Sequence, residues 1–152
     1  MKKLLLIVLI LMANESFAQL KTHTFEQVEE MSKTNPKPFI IFIHTDWCKF
    51  CKTMENTTFK NKAIINKLNQ DFYFISFNAE EKRDIIFKEN TFKFKPKGNN
   101  SGIHELATIL GDKNGNVVYP TITILNHDYS IVAQLQSYIG PKELLQILSK
   151  IQ

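Results

Sequence analysis

Cys48 and Cys51 are the only cysteines in the chain, and just two residues separate them. A bridge between sulfurs that close shuts almost no loop and takes little entropy from the unfolded chain, so it is a poor structural staple. Its use is chemical. One thiolate attacks a disulfide, and its neighbour then attacks the mixed disulfide that results. The local sequence suits that chemistry. Lys49 and Lys52 bring positive charge, and the apolar run Phe39-Ile40-Ile41-Phe42-Ile43 ends shortly before the pair. A helix beginning at Cys48 would present unpaired N–H groups and the positive end of its dipole, both of which favour a thiolate. Cys48 is therefore expected to be the attacking nucleophile, with a lowered pKa. Cys51, one turn deeper and less exposed, is expected to be the resolving thiol.

Other residues near the pair could take part. Cys48, Cys51 and Glu55 fall at i, i+3 and i+7 on one helical face, so Glu55 is a candidate acid or base. Asp46 is another, or else a cap for the same helix. His44 lies four residues before Cys48, which allows a Cys/Cys/His set for Cu(I) or Zn(II) as an alternative use of the cysteines. The plainer reading is a histidine at a strand end, and the expectation is no metal and no cofactor. His23, His104 and His127 are scattered and share no spacing. Asn56-Thr57-Thr58 and Asn99-Asn100-Ser101 have the form of glycosylation tripeptides, which matter only in a cell that glycosylates. The chain has no glycine-rich phosphate loop and no GxSxG elbow.

The elements that must position these residues follow from periodicity. Thr24 and Gln27 form a capping-box pattern ahead of a short helix over 25–32. The run 39–43 reads as a strand buried on both faces, and the cysteine segment leaves it to enter a helix. Residues 63–68 continue helically, and 72–77 is a second buried strand. The charged stretch 80–89 is read as helical. Phe92-Lys93-Phe94-Lys95 then alternates before a turn-rich loop over 96–102. Interleaved aromatics and lysines can bind single-stranded nucleic acid, but an exposed flap with its phenylalanines tucked inward is the preferred reading. A helix over 103–110 carries Ile103, Leu106, Ala107 and Leu110 on one stripe, and 112–116 has turn chemistry. The strand 121–125 should turn at 126–128 into a partner over 129–137 as an antiparallel hairpin. Gly140-Pro141 opens a closing helix through Ile151, with Leu144, Leu145 and Leu148 facing in. Helices should therefore cover both faces of a mixed sheet of about four strands, an α/β architecture.

Composition sets the remaining bounds. The chain has 152 residues, 43% of them hydrophobic and 22% charged, which fits one globular domain and excludes a disordered chain. Five Gly and five Pro without periodicity exclude collagen-like and repeat architectures. Lys2 and Lys3, a nine-residue apolar run over 4–12, and Ser16-Phe17-Ala18 have the form of a secretory signal peptide cut after Ala18. The expected organisation is a leader over 1–18 and one domain over 19–152, exported to the periplasm or secreted. The apolar run is too short to span a bilayer, and no later segment is longer. The formal net charge is +4, too small a surplus to point to a nucleic-acid partner.

Taken together, Trp47-Cys48-Lys49-Phe50-Cys51-Lys52 after a buried strand resembles the WCxxCK active site of the thioredoxin superfamily. Tyr119-Pro120-Thr121 at the start of the third long strand resembles that fold's cis-proline segment, and Gly140 its usual glycine before the last helix. The likeness runs over nearly all of 19–152. It implies a thioredoxin-like fold with an enlarged insertion before the cis-proline strand. It also implies an exported thiol–disulfide oxidoreductase acting on protein disulfides or dithiols, as a reductant or isomerase rather than an oxidant, with a membrane or exported redox partner. Pro120 would be cis and sit beside Cys48, the Tyr119 backbone would pair with substrate, and Trp47 would belong to a flat apolar docking surface. This chain departs from the family pattern in three ways. Phe42 stands where thioredoxins carry a buried carboxylate, Lys49-Phe50 replaces Gly-Pro, and the segment before Pro120 is much longer. An interaction module that docks a partner through 80–102 is a further alternative.

Overall fold

The computed structural model describes residues 19–98 and 101–151. In chain order its principal elements begin with α1 (Phe25–Ser32), β1 (Phe39–His44), α2 (Lys49–Asn56), a 3-10 turn (Thr58–Lys60), α3 (Lys62–Asp71) and β2 (Tyr73–Asn78). Four short strands follow, β3 (Ile85–Phe87), β4 (Asn90–Phe92), β5 (Phe94–Pro96) and β6 (Gly102–His104). The chain continues with α4 (Glu105–Gly111), β7 (Asp112–Lys113), β8 (Asn116–Val117), β9 (Thr121–Leu125), β10 (Ile131–Leu135) and α5 (Pro141–Leu148). The leader expected over 1–18 and two residues of the Asn99-Asn100-Ser101 tripeptide lie outside the described residues.

β1 organises the fold because it has no side that tolerates water. Its first five residues are all buried, so both faces must be covered. It lies inside a four-stranded sheet of order β10-β9-β1-β2. β2 pairs with it in parallel from Phe39↔Tyr73 to His44↔Asn78, and β9 pairs antiparallel, with Ile41 opposite Thr123. Strand alternation then divides the core in two. Phe39, Ile41 and Ile43 pack with Phe25 and Val28 of α1 and with Leu106, Ala107 and Leu110 of α4. Ile40 and Phe42 pack on the other face with Cys48, Cys51, Met54, Ile64, Leu68, Leu144 and Leu148, from α2, α3 and α5. The mixed four-stranded sheet with helices on both faces is the architecture expected from periodicity.

The insertion between β2 and Pro120 differs from its expected form. Residues 80–89 are not helical. Asn78 closes a turn by accepting the Glu80 N–H on its side chain, and Ile85–Phe87 then pairs with Asn90–Phe92 as a hairpin through Lys88 and Glu89, both at positive φ. The helix read over 103–110 begins two residues later. Ile103 belongs to β6, and His104 caps α4 by accepting the Leu106 N–H on Nδ1 at 3.2 Å. The 112–116 turn is the tip of a small hairpin, β7 with β8. Phe92 and Phe94 are half-buried while Lys93 and Lys95 are exposed, the arrangement of a tucked flap. The final helix ends at Leu148, with Leu144 and Leu148 buried and Leu145 half-buried.

Candidate active site

The apolar drive that buries β1 delivers its C-terminal end to one edge of the core, and there the chain turns. The Cys48 N–H donates to the Thr45 carbonyl at 3.2 Å, and α2 starts directly after Cys48. Cys48 is itself the N-cap, for its sulfur accepts the Cys51 N–H at 3.1 Å. This corrects one expectation. Asp46 is exposed and does not cap the helix, because the cysteine sulfur occupies that role. One of the orphan donors of the first turn therefore points at the sulfur that would carry charge, and the helix dipole adds to it.

Cys48 and Cys51 are joined as a disulfide with Cα atoms 5.2 Å apart. Cys48 is 6% exposed and Cys51 fully buried, so an incoming group reaches the first sulfur before the second. Around them the surface is unusually apolar for a loop. Trp47 and Phe50 are each 65% exposed. The Trp47 ring meets Tyr119 edge-on, with centroids 5.8 Å apart, and its Nε1–H donates to Glu80 at 3.1 Å. The Tyr119–Pro120 peptide bond is cis. Pro120 is buried, and Tyr119 packs partly against the cluster that contains both cysteines. Burial pushes the Tyr119 phenol above its ordinary pKa, and Glu80 adds to that shift. Thr121 is buried and its hydroxyl donates to the Val118 carbonyl at 2.6 Å, which fixes the turn into β9.

Of the charged candidates, Lys49 is exposed, whereas Lys52 is held 3.1 Å from the Glu55 carboxylate. The other oxygen of Glu55 lies 3.8 Å from His44 Nδ1. His44 does not gather with the two sulfurs as a ligand set. Among the described residues no group of three or more His, Cys, Asp and Glu is arranged to hold a metal ion. Two contacts were not foreseen from the sequence, Glu80 with Trp47 and Ser76 with His44. Both partners are more than thirty residues away along the chain and carry no local signal. Only the parallel register of β1 and β2 brings Ser76 and Glu80 to this end of the sheet. The insertion adds a groove of about 350 Å³ beside the site, lined among others by Trp47, Glu80, Ile103, Asp112, Val117 and Tyr119.

This fold and this pair of sulfurs define a class. The chain belongs to the thioredoxin-like domain family, whose pattern matches residues 25–152. It is similar to the thiol:disulfide interchange protein DsbD of Campylobacter jejuni, 31% identical over 66 residues, which take in 43% of this chain and 12% of that much longer protein. In three dimensions it is similar to the DsbH oxidoreductase, with a TM-score of 0.61 and 14% identity over 90% of this chain and 87% of that one. It is also similar to a thioredoxin from Thermus thermophilus, with a TM-score of 0.61 and 16% identity over 87% and 86% of the two chains.

Proposed function

We propose that the chain is an exported thiol–disulfide oxidoreductase, released by removal of 1–18, that acts on protein substrates as a reductant or isomerase. The reduced Cys48 thiolate attacks a substrate disulfide and forms a mixed disulfide, releasing one substrate thiolate. Cys51 then attacks Cys48 Sγ, the substrate leaves as its second thiolate, and the Cys48–Cys51 bridge remains. The observation that carries this reading is the Cys48 sulfur at the head of α2, accepting a backbone N–H and almost at the surface, with its bonded partner fully buried. Trp47, Phe50 and Tyr119 supply an apolar collar on which a substrate chain docks. Pro120 and Thr121 hold the Tyr119 backbone at its edge, and Lys49 adds positive charge at the rim. A reductant outside the cytoplasm needs an electron donor, which a membrane or exported redox partner supplies. Among the described residues no helix is long and apolar enough to cross a membrane.

Reduction of insulin disulfides by the dithiothreitol-primed chain tests the reading. The unsubstituted chain accelerates it, Cys48→Ser abolishes the acceleration, and Cys51→Ser accumulates a covalent adduct with substrate through Cys48, visible by mass spectrometry. Full activity in Cys48→Ser contradicts the assignment.

A further inference from the structure

Resolution of the mixed disulfide requires Cys51 to lose a proton inside the core, and the position at which the family pattern has a carboxylate is Phe42, fully buried and apolar. Something else must take that proton. β1 alternation answers where to look. Ile40 and Phe42 point into the cluster that buries Cys51, and the next residue on that face is His44. Its ring stacks on Phe42 at 5.2 Å and 22°. From the helix side, Glu55 lies four residues after Cys51, directly along the same face of α2. The two side chains meet where these faces converge, Nδ1 to Oε1 at 3.8 Å.

The hydrogen-bonding state of His44 is unusual. Nε2 lies 3.1 Å from the Ser76 hydroxyl on β2, while Nδ1 is buried and has no hydrogen-bond partner. A buried polar atom left unpaired is costly, and this one faces a carboxylate. With the ring proton on Nε2, shared with Ser76, Nδ1 is a bare lone pair. A proton arriving there would give the atom a partner and turn the 3.8 Å approach into an ion pair. The charged groups acting on the ring besides Glu55 are Lys52 from α2 and Asp46 from the preceding loop. Burial is the largest influence and pushes the imidazole below its ordinary pKa, with Glu55 opposing it.

We propose that His44 and Glu55 form the proton-holding unit for Cys51, with Glu55 relaying the proton and His44 acting as its positioning residue and resting place. The inference depends on the exchange reaction proposed above. In the resolving step the Cys51 S–H bond breaks and its electron pair forms the new bond to Cys48 Sγ. The bond from Cys48 to the substrate sulfur breaks, and the substrate departs as a thiolate with that electron pair. The proton comes to rest on His44 Nδ1 until water or the departing thiolate removes it. The chain's dithiol is oxidised and the substrate disulfide reduced, so atoms and electrons balance.

Stopped-flow reaction of the reduced full chain with 5,5′-dithiobis(2-nitrobenzoate) separates the steps, because attack by Cys48 and resolution by Cys51 each release one coloured thiolate. In Glu55→Gln and His44→Gln the first release persists. The second is expected to slow by about a hundredfold at neutral pH and to lose the pH inflection seen in the unsubstituted chain. Gln is isosteric with Glu, and thermal melts of both variants establish that they are folded. A second phase with unsubstituted rate and pH inflection in both variants overturns the inference, and slowing in Glu55→Gln alone overturns the part given to His44. Absence of any first phase in the unsubstituted chain contradicts the exchange reading itself.

Discussion

Phe42 shows how one side chain can decide both stability and chemistry. Its ring is fully buried, edge-on to Phe59 with centroids 4.8 Å apart and stacked on His44. It thus fills the position from which a carboxylate would otherwise act on the cysteines, and it orients the imidazole one alternation further along β1. Truncation leaves a cavity that the two flanking rings cannot close. Phe42→Ala is expected to cost about 3–5 kcal/mol of unfolding free energy, measured by urea denaturation of the oxidised chain, whereas a loss below about 1 kcal/mol would mean that the site collapses around the deletion. At this scale the sequence was most informative. The cysteine spacing could be read directly, because it is a property of residue order, whereas the surface position of Trp47 and the missing acid at Phe42 came from the resemblance to thioredoxins. Of the two readings open for Asp46, the cap is the one that fails, since a carboxylate is the usual N-cap and a cysteine sulfur rarely is.

The large elements were legible for the same kind of reason. β1, β2 and β9 are continuous or alternating apolar runs, and Thr24 with Gln27 forms the capping box its spacing suggested. The insertion was not legible, because what shapes it lies far off in the chain. Glu26 and Glu29 of α1 accept the backbone N–H groups of Ile86 and Lys88, about sixty residues on. The turn between them uses Lys88 and Glu89 at positive φ instead of the Asn-Gly pair that marks a hairpin in sequence. His104 is the pivot of this region. Its Nδ1 accepts the Leu106 N–H, so the ring proton sits on Nε2, donated to the Arg83 carbonyl at 3.2 Å. The imidazole must stay neutral to cap α4, and burial holds its pKa below the ordinary histidine value. The sign follows from linkage. The unfolded chain takes up the proton first, so this contribution is complete above the ordinary histidine value of about 6.5 and is lost as pH falls through the depressed folded value. His23 and His44 are shifted in the same direction, so the variant isolates the effect. His104→Asn, which can cap without titrating, should lose less melting temperature between about pH 7.5 and about pH 5 than the unsubstituted chain. An equal loss would remove His104 from the acid response.

Across the whole molecule, two cores on either side of one sheet hold the sulfur pair at the edge of β1, and the insertion builds a groove next to it. The fold and its family are those of thioredoxin-like domains, while export and the direction of electron flow belong to the proposal. A couple four residues from end to end stabilises the fold little, so the property that defines it is its potential. Equilibration of the full chain with glutathione redox buffers, followed by quantifying the Cys48–Cys51 disulfide, measures that potential. A reductant or isomerase shows a single two-electron transition between roughly −270 and roughly −180 mV. A transition near roughly −120 mV, or sulfurs that titrate independently, would contradict it.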